Sequence, residues 1–264
     1  MNKISIIILN YKTPKMTCEC IESIVRNNTD IDYEIVVVDN NSKDESKKYF
    51  ESNLSFFKHI KIIYSEKNLG FSGGNNLGII NADGDYLFFL NSDILFNENS
   101  LKLLLDELQD LSKDHKIGFI QPRLYLNKEK TIVQRTCAQI PILIDLIQEN
   151  IPIFQKIRTE DFHQFRYTDW DRNTSRFVDV VCGAAMFCRR DFFENMEKFD
   201  ERFFLYFEEY DICKRALMHG YKNKYTVVTS LIHLHNKSPN PSINKKIIYI
   251  SSLLKYIFKN YIKL

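Results

Sequence analysis

Four short apolar runs, separated by stretches of helical periodicity, constrain this chain more than any other feature. Residues 4–9, 34–39, 60–64 and 86–90 are rich in Ile, Val, Leu and Phe, and each is bounded by polar or turn-forming residues. Runs this apolar fit strands covered on both faces, as in a parallel sheet. Between the first two, residues 14–27 open with Pro14 and place Met16, Cys20 and Ile24 at helical spacing. Helices are also predicted over 73–81 and 99–111, and a fifth strand over 117–120. Strands alternating with helices at this spacing predict a doubly wound α/β sheet with right-handed crossovers.

Beyond Pro122 the pattern loosens. Residues 123–176 hold Pro141, Pro152 and many aromatics, and only a helix near 142–149 is predicted there. Strands follow over 177–182 and 184–188, on either side of Gly183. A helix is predicted over 207–219, with Gly220 suited to its C-terminal cap. Short strands over 225–229 and 231–234 and a last helix over 243–262 complete the reading. With 264 residues, 44% apolar content, no linker and no internal repeat, one domain is expected.

Charge is unevenly spread. All 34 acidic residues precede residue 212, whereas ten of the 36 Lys and Arg follow it. A tail without acids points to an anionic partner, with membrane headgroups favoured over nucleic acid, for which no motif is present. On a helical wheel Ile243, Ile247, Ile250, Leu254, Ile257 and Tyr261 share a face, with Lys255, Lys259 and Lys263 beside it. That face fits packing on the domain as well as a membrane surface. The six cysteines show no metal-ligand or CxxC spacing, and Cys18 and Cys20 fall on different sides of a helix, so reduced core thiols are expected. The apolar start is too short for a signal peptide, and no stretch has the length of a spanning helix. The expected location is cytoplasmic, with peripheral contact to the membrane face.

Six segments carry candidate chemistry. The fourth strand ends in Leu90-Asn91-Ser92-Asp93, a carboxylate where open α/β sheets bind ligands. With one further ligand it could hold a divalent cation against a diphosphate. His233, behind a short strand with His235 and Ser238 nearby, supplies a candidate imidazole. Asn10-Tyr11 and Asp39-Asn40-Asn41-Ser42 end the first two strands and offer an aromatic face and acceptors to a nucleobase. Asn68-Leu69-Gly70-Phe71-Ser72-Gly73-Gly74-Asn75-Asn76 opens a helix with free amides, which favour phosphate. Glu208, Glu209 and Asp211 crowd the first turn of a helix beside Phe203, Phe204, Tyr206 and Phe207, and any of the three could serve as a desolvated general base. Each segment alone also fits ordinary turn, cap or core chemistry.

Taken in order, these segments resemble the family-2 glycosyltransferases, in their rhamnosyltransferase-like branch. Further matches are Gly183-Ala184-Ala185-Met186 and Phe199-Asp200-Glu201-Arg202-Phe203-Phe204; the resemblance covers nearly residues 1–240 but not 123–176. It implies a GT-A fold over 1–240, with a nucleotide-sugar half (1–122) and an acceptor half (123–240); on the basic amphipathic helix (241–264) it is silent, and that helix is read as a separate unit from its residues alone. The resemblance implies a nucleotide-sugar donor, a divalent metal (Mg²⁺ or Mn²⁺), and a glycan or lipid-linked glycan acceptor. Tyr11, Asp39, Asn68, Gly74, Asn76, Asn91 and Asp93 would bind the donor, Asp93 and His233 the metal, and Gly183 would underlie the acceptor. Among the three acids the resemblance selects Glu209 as base, where the family carries Asp. Asn91 stands where the family's metal motif has its first acid. Inverting transfer is the implied reaction. A non-catalytic nucleotide- or carbohydrate-binding subunit remains the alternative reading. A sugar nucleotidyltransferase fits poorly, because Asn10-Tyr11-Lys12-Thr13-Pro14 replaces the Gly-rich basic loop it needs after strand one.

Overall fold

A computed structural model of the protein describes residues 2–150, 160–234 and 243–262. Strands β1 (Ile4–Asn10), β2 (Tyr33–Asp39), β3 (Ile60–Tyr64) and β4 (Tyr86–Asn91) pair in parallel in the order β3-β2-β1-β4. Helices α1 (Pro14–Asn27), α2 (Ser46–Asn53) and α3 (Gly70–Ile80) connect them. Alternation along each strand divides the core into two layers. Ile4, Ile6, Ile8, Ile35, Val37, Phe88 and Leu90 face one side, with α1 and α4 (Ser100–Leu111). Ile7, Val36, Val38, Leu87 and Phe89 face the other, with α3. Cys18 and Cys20 are both buried in the first layer, because α2 also packs on α1. All six cysteines are free thiols.

Helix α3 begins three residues earlier than its apolar pattern predicts. Gly70 sits at φ 70°, and a Cβ there would stand 2.1 Å from the Phe204 carbonyl oxygen. The same carbonyl accepts from the Phe71 amide at 2.6 Å. Only glycine allows that approach, and it ties the start of α3 to the 199–207 segment.

Past β4 the sheet departs from simple winding. The order continues β4-β8-β6-β9-β5, with β8 (Ala185–Arg189) running antiparallel between β4 and β6 (Ile117–Tyr125). Strand β6 runs five residues past its predicted end, and β9 (Lys222–His233) is one strand where two were expected. The expected break is a register shift: Pro122 pairs with Thr226 but Arg123 with Ser230. Proline cannot donate to the ladder, so an irregularity falls there. Strand β7 (Arg176–Val178) on β9 is shorter than predicted, with one further bridge from Val180 to Ala138. Strand β5 (Ile94–Leu95), too short to show in the sequence, pairs antiparallel with the end of β9.

The poorly patterned region is held by side chains. It contains α5 (Leu143–Asn150) and α6 (Glu160–Phe165). Arg172 is fully buried, and its guanidinium donates to the carbonyls of Thr136, Arg166, Tyr167 and Trp170. One side chain thereby fastens residues 136 and 166–172 into a single knot.

Helix α7 (Arg190–Asn195) follows β8, and α8 (Glu208–Met218) precedes β9. The last helix, α9 (Ile243–Tyr261), docks on the turn before α8, using Ile257 and Tyr261 of the expected face but not Ile247, Ile250 or Leu254. Tyr249, Leu253, Tyr256 and Tyr261 pack with Phe203, Phe207, Tyr210 and Leu146. Ser252 and Lys255 donate to the carbonyls of Leu205 and Arg202. Lys259 pairs with Asp200 at 2.8 Å and Asp211 at 2.5 Å. Tyrosines with polar tips suit a seam of carbonyls and carboxylates better than the isoleucine stripe does. Ile247, Ile250, Leu254, Phe258 and Ile262 consequently stay exposed. No helix among the described residues is long and apolar enough to cross a membrane.

Candidate active site

The ends of β1 and β2 are joined by Asn10. This fully buried amide donates to Asp39 Oδ1 (2.6 Å), Ser42 Oγ (3.1 Å) and Ser46 Oγ (3.0 Å), and its oxygen accepts from Thr13 and Thr17. Asp39 also accepts from the Ser42 hydroxyl and amide, so its carboxylate is held in a fixed orientation. Tyr11 projects beside it with 45% of its surface exposed, leaving a ring face open to stacking. Thr13 Oγ1 lies 3.2 Å from Ser92 Oγ, which joins this edge to the Asn91-Ser92-Asp93 turn.

The Gly- and Asn-rich segment is committed to the protein itself. The amides of Leu69, Gly70 and Phe71 donate to Asn40 Oδ1, Asn68 Oδ1 and the Phe204 carbonyl. A Cβ on Gly74 would meet the Leu9 side chain at 3.0 Å, so that glycine serves close helix–strand packing. Asn76 donates to the Phe199 carbonyl and Glu201, and accepts from the Phe199 amide. The amides of Leu69, Gly70 and Phe71 are therefore satisfied internally; Asn68 holds the helix start, Gly74 packs on β1, and Asn76 anchors α3 to residues 199–201.

Asp93 and His233, 140 positions apart in the sequence, meet because β5 pairs with β9. Ile94 is the partner of His233 in that register, and the Leu234 amide donates to the Asp93 carbonyl. His233 Nε2 stands 3.2 Å from Asp93 Oδ1, and both side chains are largely buried. A carboxylate oxygen and an imidazole nitrogen converging on one point suit Mn²⁺ or Mg²⁺. No group of three or more His, Cys, Asp or Glu among the described residues could hold a metal by itself. The pair thus fits a cation whose remaining ligands come from a diphosphate and water. His235 and Ser238 lie outside the described residues. The backbone amide of Asn91 donates to the Ala184 carbonyl at 3.0 Å, setting the Asn91-Ser92-Asp93 turn against the 182–185 loop.

The three acids of α8 separate by environment. Asp211 is 2% exposed and ion-paired with Arg215 and Lys259. Glu208 and Glu209 each bury an Oε2 atom without a hydrogen-bond partner. Burial and the neighbouring Glu209 push the Glu208 carboxyl well above the usual range. Burial pushes Glu209 up to about 7, against the opposing pull of its own backbone amide and Arg166. Glu209 also lines a cavity of about 140 Å³ with Gln134, Arg135, Thr136, Arg166, Cys182 and other residues. Burial raises the Cys182 thiol to about 12, helped by the charges of Glu209, Glu208 and Asp93. All three carboxylates are therefore within electrostatic range of one residue, beside Gly183. The loop is fixed by buried Gln121, whose Oε1 accepts from the Cys182 amide at 2.6 Å.

Gln121, Gln134 and Arg166 were not singled out by sequence. A glutamine inside an otherwise apolar strand was the available signal for Gln121; the other two lie where no pattern or resemblance reached.

Known proteins share the sequence pattern and the fold. Residues 5–197 match the family described as Glycosyl transferase family 2. The chain is 30% identical over 115 residues to glycosyltransferase GlyG of Streptococcus pneumoniae, covering 44% of this chain and 38% of that protein. It is 26% identical to the low-salt glycan biosynthesis hexosyltransferase Agl10 of Haloferax volcanii, over 88% of this chain and 67% of the relative. It is 23% identical to rhamnosyltransferase WbbL of Escherichia coli, over 75% of this chain and 82% of the relative. Among solved structures, GalNAc-T7 with UDP, GalNAc and Mn²⁺ superposes with a TM-score of 0.67 at 16% identity, covering 97% of this chain and 47% of that one. The mannosyltransferase PcManGT of Pyrobaculum calidifontis, with GDP-Man and Mn²⁺, gives 0.63 at 13% identity, over 99% of this chain and 65% of that one. Strand order, converging acids and family match agree: the chain adopts the GT-A fold and belongs to glycosyl transferase family 2.

Proposed function

We propose that the protein is an inverting glycosyltransferase that moves a sugar from a nucleotide-sugar to a hydroxyl of a glycan acceptor, such as a lipid-linked surface-polysaccharide precursor. The observation carrying this reading is that Glu209, Cys182 and Gln134 line one cavity while Gln134 contacts His233, which pairs with Asp93. Tyr11 stacks on the nucleobase and Asp39 accepts its hydrogen bonds, with Asn91 nearby at the end of β4. Asp93 and His233 would hold the cation, which would supply Lewis-acid neutralisation of charge on the departing diphosphate. Asn68, Gly74 and Asn76 support the donor edge from behind.

Glu209 takes the acceptor hydroxyl proton as that oxygen attacks the anomeric carbon. A carboxylate raised to about 7 is matched to this task near neutral pH. The Cys182 thiol, raised to about 12, stays protonated and is no nucleophile, so one direct displacement with inversion is favoured. Incubating the protein with a nucleotide-sugar panel and Mn²⁺, and measuring nucleotide release and product anomer, tests the proposal. Release with inversion is expected; nucleotide binding without any turnover would instead favour a non-catalytic binding subunit.

The same reading includes an anionic lipid surface on the cytoplasmic face of a membrane. The outward stripe of α9 is apolar, the helix carries Lys245 and Lys246 in its first turn while Lys255 and Lys259 turn to the domain, and it carries no acid. A second copy would set lysine against lysine, whereas anionic headgroups complement them.

A further inference from the structure

The pair Asp93–His233 leaves open how the imidazole is held with its lone pair toward a cation. A neutral histidine carries one proton, on either ring nitrogen, and only the bare nitrogen can bind metal. His233 Nδ1 lies 2.8 Å from Gln134 Oε1, and Nε2 lies 3.2 Å from Asp93 Oδ1. An amide oxygen only accepts, so Nδ1 must be the protonated nitrogen, and Nε2 then turns its lone pair toward the carboxylate. Two electron-pair donors facing each other at 3.2 Å repel unless a proton or a metal cation lies between them, and in the neutral ring that place is open to the metal.

Gln134 is rigidly mounted for this. Its amide donates to the Leu124 carbonyl at 2.8 Å, and the Leu126 amide donates to the Ile132 carbonyl, which folds residues 124–134 back along β6. The turn is tied by Asn127, whose Oδ1 accepts from the amides of Thr131 and Ile132. Strand β9 fixes His233 from the other side. Gln134 also lines the cavity that Glu209 lines, so one residue touches both the metal pair and the acceptor side.

We infer that Gln134 is the positioning residue of the metal centre: by accepting from Nδ1–H it selects the His233 tautomer whose Nε2, with Asp93, receives the cation. The inference rests on the reading of Asp93 and His233 as ligands, and the experiment separates the two. Mn²⁺ is titrated into the full chain, alone and with nucleoside diphosphates, and followed by electron paramagnetic resonance. Gln134→Leu should weaken Mn²⁺ binding roughly 10–100-fold, the usual cost of losing such a partner. Gln134→Glu, which keeps an acceptor, should bind at least as well as the parent. Proton–nitrogen correlation spectra of the Mg²⁺-loaded protein should show His233 protonated on Nδ1, and Gln134→Leu should lose that signature while unfolding at the parent temperature without metal. If His233→Ala binds Mn²⁺ normally, the ligand reading fails. If His233→Ala abolishes binding but Gln134→Leu does not weaken it, or if Gln134→Glu fails to restore it, the positioning role of Gln134 is overturned.

Discussion

Lys259 on the last helix stands 2.5 Å from Asp211 on the helix that carries Glu209. The contact removes Asp211 from the candidates for general base, because its carboxylate is occupied by Lys259 and Arg215. It also makes α9 part of the structural support of the site. The sequence suggested a separable tail, whereas Tyr256 is buried against Phe207 and Tyr210. Lys259→Met should lower stability by roughly 1.5–3 kcal/mol, the worth of hydrogen bonds to charged groups. A chain ending near Pro241 should unfold at a clearly lower temperature. Thermal unfolding measures both; unchanged midpoints would mean that α9 does not support the domain.

Activity should rise with pH through about 7 and level off above it, because Glu209 must be unprotonated to accept a proton. The stability effect has the opposite sign. The folded protein holds this proton more tightly than the unfolded chain, so stability falls as pH rises from the ordinary carboxylate range to about 7 and is flat beyond. Glu209→Gln should remove the rise in activity, leave only the part of the stability slope that buried Glu208 contributes, and reduce turnover by roughly 10²–10⁴-fold with donor affinity kept. Finding Glu208→Gln to be the inactive variant, with Glu209→Gln active, would move the base by one residue.

Asp93→Ala and His233→Ala should each remove metal-dependent donor binding in calorimetry while leaving the sheet folded. Asn91→Asp should increase metal affinity, since a carboxylate then joins the turn that now presents an amide. Metal-dependent binding that survives in Asp93→Ala would place the cation elsewhere.

The protein should sediment with anionic vesicles at low salt and be released at high salt. Leu254→Ser with Phe258→Ser should abolish sedimentation, and because both are about half exposed, at 48% and 54%, unfolding should change little. Equal sedimentation of parent and variant would show that the stripe does not meet lipid.

The strands β1 to β4 were legible because an apolar run buried on both faces has few other ways to hide its side chains. Strand-end chemistry was legible too, since Asp39 and Asp93 follow such runs directly. Neighbours along the chain carried those features. Residues distant in sequence decided the rest. Strand β5 has two residues and no periodicity, yet its pairing with β9 brings Asp93 to His233. Gln134 and Arg172 sit in a stretch without regular pattern, where buried polar groups, not apolar spacing, fix the chain. The face of α9 was legible only at Ile257 and Tyr261, because a helical wheel ranks hydrophobicity alone. The surface it meets, Asp200, Asp211 and a row of backbone carbonyls, called for tyrosine and lysine, and only the tertiary structure supplied that surface.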